Sequence, residues 1–277
     1  MSAPQNPPPQ YSSNSVSDPL LTPQYTDAAT AASGFASGLA SSSARTQYDH
    51  LPDDIKYTMP ISDFELDLRM SFVRRVYTIL TLQLLGTTAL SSIFILNPGL
   101  TVWALQNQWA FWTSFAASIV LMLLAFWKSR SYPINLVFLA GFTAAESYMV
   151  GFITSLYDTK IVVEAFFLTF VIFVGLTIFA CQSKYDFSQW QGVACTVLFV
   201  MIGVGFLMMF FPYSSTAELI YSIIGALLFS LYIVIDTQLV LKKYHLEEEV
   251  PAAISLYLDI INLFLYILRI LNEANDN

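Results

Sequence analysis

The chain has 277 residues, of which 56% are hydrophobic and 12% charged, and a net charge of −8; its mean hydropathy is +0.59. Soluble domains are roughly 25% charged, so this composition excludes a water-soluble enzyme. The acidic balance excludes a nucleic-acid binder, which needs a basic face. Two cysteines (Cys181, Cys195) and two distant histidines (His50, His245) exclude a disulfide framework and a His-based metal centre.

Residues 1–68 hold eight acids against two bases, Arg45 and Lys56, and eight of the twelve prolines fall in the first 60 residues. This stretch shows neither helical nor strand periodicity and is expected to be a disordered, acidic, Pro- and Ser-rich cytosolic tail. Within it, Pro8-Pro9-Gln10-Tyr11 fits PPxY. That motif binds WW domains through a preformed polyproline II helix, so Pro8, Pro9 and Tyr11 predict a WW-domain ubiquitin ligase as a partner. No apolar stretch follows Met1, so insertion is expected to rely on the first transmembrane segment.

From residue 69 onward the chain divides into apolar segments of about the 20 residues that span a bilayer. They fall at 76–96, 109–127, 134–157, 161–181, 191–211, 218–241 and 253–271. A chain crossing hydrocarbon must satisfy its own backbone hydrogen bonds, and the alternation of a β-barrel is absent, so these are helices. The expected fold class is an all-α integral membrane protein of seven transmembrane helices, with residues 69–277 as the membrane domain. Residues 97–108 form a loop with a short interfacial helix. Pro98, Pro133, Pro212 and Pro251 fall between apolar segments, where helix ends belong.

Arg69, Arg74, Arg75, Lys128, Arg130, Lys184, Lys242 and Lys243 flank alternate segment ends, and the opposite loops hold only Lys160. Positive residues stay in the cytosol, which places the N-terminus there and, with seven spans, the C-terminus on the far side. Arg269 opposes this, and a re-entrant last segment would return the C-terminus to the cytosol.

Ionisable residues inside the bilayer are costly and mark ion paths. Four carboxylates lie within the apolar segments: Glu146, Glu164, Asp236 and Asp259. Asp236 lies six residues before the end of the sixth segment and Asp259 six residues into the seventh. At 1.5 Å per residue both sit roughly 9 Å below the same edge. Two carboxylates at one depth on adjacent helices share a proton if they meet, which makes the pair a pH sensor and, when ionised, a stage on a cation path. The structural alternative is that each Asp bonds to a neighbouring helix. Glu164, at the far-side start of its helix, suits the helix dipole. Glu146 lies mid-helix with no evident partner. Glu247-Glu248-Glu249 is read as a solvated loop.

These segments resemble the BAX-inhibitor family, the transmembrane BAX inhibitor motif proteins, and most of all its lifeguard branch. The resemblance rests on RMSFVRRVYTILTLQLLGT, EAFFLTFVIFVGLTIFA followed by QSKYDFS, YSIIGALLFSLYIVIDTQL and SLYLDIINLFLYILRIL, in that order across residues 69–271. It implies a fold whose seventh helix is central, and a pH-sensitive calcium leak across an intracellular membrane. That membrane is most often the endoplasmic reticulum, with Golgi, vacuole or lysosome as alternatives. It further implies a role in cell death and stress, with cell-death regulators as partners, the lipid bilayer as solvent, and calcium and protons as the ions handled. Asp236 and Asp259 match the family's aspartate pair, whose protonation closes the pore towards the cytosol. Some members carry an arginine that latches one aspartate. Here the matching string is AFWKSR, with Ser129 at that position between Lys128 and Arg130, so either base, or Glu146, is a candidate support.

No cofactor and no enzymatic activity are expected. The competing readings are a proton-coupled transporter, against which the lack of inverted repeats counts, and a non-conducting scaffold for cell-death regulators. An intramembrane aspartyl protease lacks its glycine-bearing motif in SLYLDI, and a seven-helix receptor lacks DRY and NPxxY.

Overall fold

The computed structural model describes residues 52–208, 210–211 and 214–276. The described residues form helices and no strand. They are α1 (Asp53–Thr58), α2 (Leu66–Leu96), α3 (Pro98–Gln106), α4 (Gln108–Trp127), α5 (Ile134–Thr154), α6 (Thr159–Gln182), α7 (Gln191–Met208), α8 (Ser215–Lys242) and α9 (Glu249–Asp276). Seven of them are long and apolar enough to cross a membrane. The chain is an all-helical membrane bundle with seven spans.

Local chemistry sets the boundaries. Pro98 opens α3, the short helix expected between the first two spans, and Pro133 sits at the N-cap of α5. A proline there loses no helical hydrogen bond. Asp158 accepts from the Lys160 amide at 3.2 Å, and Ser214 from Ala217 at 3.3 Å, so each satisfies a donor that the following helix leaves open. α2 begins ten residues before the first apolar segment. Its early turns carry Arg69, Arg74 and Arg75, which hydropathy leaves out and the helix keeps.

The last span is the centre. In α9, Val250, Ala252, Ala253, Ile254, Leu256, Tyr257 and Leu268 are all fully buried. It packs against α2, α4, α5, α6 and α8. It is also one unbroken helix, not a re-entrant hairpin. The outward faces of the other spans carry exposed Phe167, Phe170, Phe199 and Leu227. Apolar surface on this scale requires hydrocarbon as solvent.

A layer of hydroxyls joins three helices. Thr87 in α2 donates to the Gln83 carbonyl at 2.9 Å, so the hydroxyls of Ser147 (α5) and Tyr257 (α9), each 2.9 Å away, donate to it. In hydrocarbon such groups have no water to fall back on. Tyr257→Phe is expected to cost about 1 kcal/mol, read as a lower thermal midpoint in detergent. An unchanged midpoint would remove the layer from the list of stabilising contacts.

The segment read as tail is ordered at its end. Pro52–Glu65 forms α1 and a 3-10 turn, Ile61–Asp63. Ile61 is fully buried, and its amide donates to the Tyr244 carbonyl at 2.8 Å. Ile61 and its backbone bond help to dock a strap that shows no hydrophobic period and in which Lys56 is buried as well. The compact helical unit begins at Pro52.

Candidate functional site

Asp236 and Asp259 meet. Asp236 projects from α8 among Ile233, Ile235 and Val240, all fully buried, and Asp259 from the most buried part of α9. The two residues are 8% and 5% exposed, and their carboxyl groups are close enough for each to act on the other. Ionised carboxylates only accept hydrogen bonds. A bond between the two therefore requires one proton held between them. Asp259 Oδ2 is buried without a hydrogen-bond partner. An orphaned carboxylate oxygen in a core is costly.

Two side chains close the site toward the 243–248 loop. The Tyr244 phenol stands 3.4 Å from Ser255 Oγ, one turn before Asp259. Its pKa is pushed up to about 12, first by burial and then by the negative charge of Asp236. Tyr244 therefore stays neutral over the whole range in which carboxyl groups titrate.

Beyond Tyr244 the loop is tied down by charge. Glu248 accepts from the His245 amide at 3.1 Å, pairs with His245 Nδ1 at 2.9 Å, and lies 3.7 Å from Arg130. Arg69 donates to the Leu241 carbonyl at 3.4 Å, at the end of α8. Of the two bases considered as a latch, Arg130 reaches the α8–α9 loop, and the Lys128 ammonium lies 5.0 Å over the Trp127 ring. Arg130 thus holds the loop that joins the two aspartate helices.

Glu146 has the partner that sequence did not reveal. Ser118 of α4 lies beside it, with its own hydroxyl proton donated to the Phe115 carbonyl at 3.0 Å. Glu164 pairs with Lys160 at 3.8 Å on an exposed face, in keeping with a structural role. Pro8, Pro9 and Tyr11 lie outside the described residues.

Gln238 is a member of the site region that sequence reasoning missed. It is 1% exposed, accepts from the Phe187 amide at 2.7 Å and donates to the Tyr185 carbonyl at 2.9 Å. It fixes the α6–α7 connection against the aspartate helix. A signal existed: a glutamine two residues from an aspartate, inside an apolar span, needs partners of its own.

Among the described residues, no three His, Cys, Asp or Glu side chains group as a metal centre. Calcium takes six to eight oxygen ligands, more than one carboxyl pair supplies.

The family model described as "Inhibitor of apoptosis-promoting Bax1" matches residues 69–276. Bax inhibitor 1 of Schizosaccharomyces pombe is 37% identical over 227 residues, 81% of this chain and 85% of that protein. Protein lifeguard 4 of Mus musculus is 38% identical over 226 residues, covering 81% and 94%. The Golgi anti-apoptotic protein of vaccinia virus strain Lister is 36% identical over 225 residues, with the same coverage.

Proposed function

Because the chain belongs to the Bax1-I family of Bax inhibitors, we propose that it restrains cell death as a pH-sensitive cation leak of an intracellular membrane, with calcium as the principal ion. The observation that carries this reading is the contact between Asp236 and Asp259 in the bundle interior. With one proton between them, α8 and α9 are held together. When that proton leaves, two negative charges face each other in a medium that screens them poorly. The helices then separate, or a cation enters to neutralise the pair. Tyr244 and the loop held by Arg130 and Glu248 cover the pair on the side that we assign to the cytosol from the distribution of Lys and Arg. The endoplasmic reticulum is the proposed membrane; the viral relative named for the Golgi supports an intracellular location. The role proposed for the PPxY segment is recruitment of a WW-domain ubiquitin ligase. Chemistry at the pair is proton exchange and ion passage, not bond cleavage.

Calcium flux from liposomes containing the purified protein tests this, with pH varied from about 5 to 8, the range a close carboxyl pair can reach. Flux that rises with pH is the expected result. No flux at any pH would remove the leak and leave a non-conducting scaffold for cell-death regulators, the reading that the relatives' names support without it.

A further inference from the structure

A second polar feature lies away from the aspartate pair, toward the end of the bundle opposite Lys242 and Lys243. A cavity of about 370 Å³ opens between α7, α8 and α9. Glu218, Tyr221, Asn262, Tyr266 and Arg269 line it. Glu218 is in the first turn of α8, so the mouth lies at the edge of the bundle. The inner end is Asn262, three residues from Asp259. The series Asp259, Asn262, Tyr266, Arg269 steps by 3, 4 and 3, which lays it along one face of α9. At 1.5 Å per residue the cavity reaches within roughly 5 Å, along the axis, of the carboxyl whose Oδ2 has no partner. The Asn262 amide nitrogen donates to the Leu258 carbonyl at 2.8 Å, which leaves its oxygen as the atom to offer a cation. The two phenols are engaged with the protein: Tyr221 donates to the Met201 carbonyl at 3.1 Å and Tyr266 to the Tyr221 oxygen at 3.5 Å.

We propose that this cavity is the outer vestibule of the cation path, with Glu218 and Arg269 setting the charge a hydrated cation meets at its mouth and Asn262 passing it toward Asp259. The assignment rests on the leak reading and adds the route and the charges that tune it. Glu218 draws cations in. Arg269, on the exposed edge of α9, opposes them and slows the leak. A path lined by the carboxylate alone would pass cations faster.

Thiol labelling reads the cavity independently of transport. Cys181 and Cys195, both free and exposed, are first replaced by serine. Asn262→Cys is then exposed, in liposomes, to membrane-impermeant thiol reagents of opposite charge added on the side opposite Lys242 and Lys243. Leu265→Cys, on the same cavity wall, serves if the first variant does not fold. The cationic reagent is expected to react faster. Glu218→Gln should lower the cation-to-anion rate ratio about fivefold, and Arg269→Gln should raise it by a similar factor, as one charge at cavity distance does. Cation flux should follow the same order. A thiol that is inert from that side, or a ratio that neither substitution moves, overturns the vestibule while an Asp259-dependent flux leaves the leak standing. A ratio that moves as expected in a protein without any flux overturns both, because there is then no path for the cavity to serve.

Discussion

Asp259→Asn is expected to flatten the pH dependence of the leak and hold it at its low-pH level. Asparagine keeps the shape of the carboxyl group and offers an N–H that donates to Asp236 at every pH. It copies the proton-bridged pair and cannot lose the bridge. In the native pair the bridge should be lost as pH rises, so the proposed leak is expected to increase with pH. A gate worked by one proton changes by at most about tenfold per pH unit. The force behind it is large: two unit charges roughly 4 Å apart at an effective dielectric constant near 20 repel by about 4 kcal/mol. Asp236→Asn should act in the same way from the other helix. Asp259→Ala should also be flat, but high, because it removes the bridge without a substitute. Flux assays with the three variants and the native protein, with thermal midpoints measured alongside, decide the matter. Native pH dependence in a folded Asp259→Asn protein would falsify the gate.

Gly225→Ala is expected to destabilise the bundle by about 1–3 kcal/mol, the usual cost of overfilling a packed interior. A Cβ at Gly225 would stand 2.5 Å from Tyr266 Cζ, 2.6 Å from Cε1 and 2.7 Å from Cδ1. The ring cannot slide away freely. It stacks on Phe229, with centroids 5.8 Å apart and planes 25° apart, and meets Tyr221 edge-on at 5.9 Å. Tyr221 is seated likewise, with its hydroxyl 2.7 Å from where a Cβ at Gly205 would be. Pairing Gly225→Ala with Tyr266→Ala should recover most of the loss, and a double-mutant cycle on thermal midpoints measures the coupling. Gly86 and Gly175 supply the control. A Cβ there meets nothing within 4 Å, so alanine should stabilise each by roughly 0.5–1 kcal/mol, the ordinary gain in a helix interior. The same exchange in one protein then has opposite signs, set by what lies across from the glycine.

The spans were legible because twenty apolar residues in a row are unambiguous, and prolines and basic residues marked their ends. The meeting of Asp236 and Asp259 was legible from depth alone, since a short loop forces α8 and α9 to run side by side. What could not be read was rotation. A helix in lipid is apolar on every side, so its pattern does not say which face turns inward. Ser118 therefore gave no sign that it would meet Glu146, nor Thr87 that it would receive two hydroxyls. Gly225 and Tyr266, 41 positions apart, show their fit only once both helices are oriented. The strap at Pro52–Glu65 escaped for a different reason. Its docking involves buried Ile61 and Lys56 and a backbone bond to Tyr244, and none of these generates a period.

The position of α9 also bears on how the molecule is made. It follows the other six spans along the chain and yet ends up at their centre. Those six enter the bilayer before the helix that five of them pack against exists. Until then Thr87 and Ser147 lack the Tyr257 hydroxyl, and Asp236 stands without Asp259. The early bundle must either stay loosely associated or close around an empty axis and reopen. A ribosome stalled before residue 249 would thus leave an inserted but coreless assembly, with polar groups open to lipid and to the machinery that removes unfinished membrane proteins.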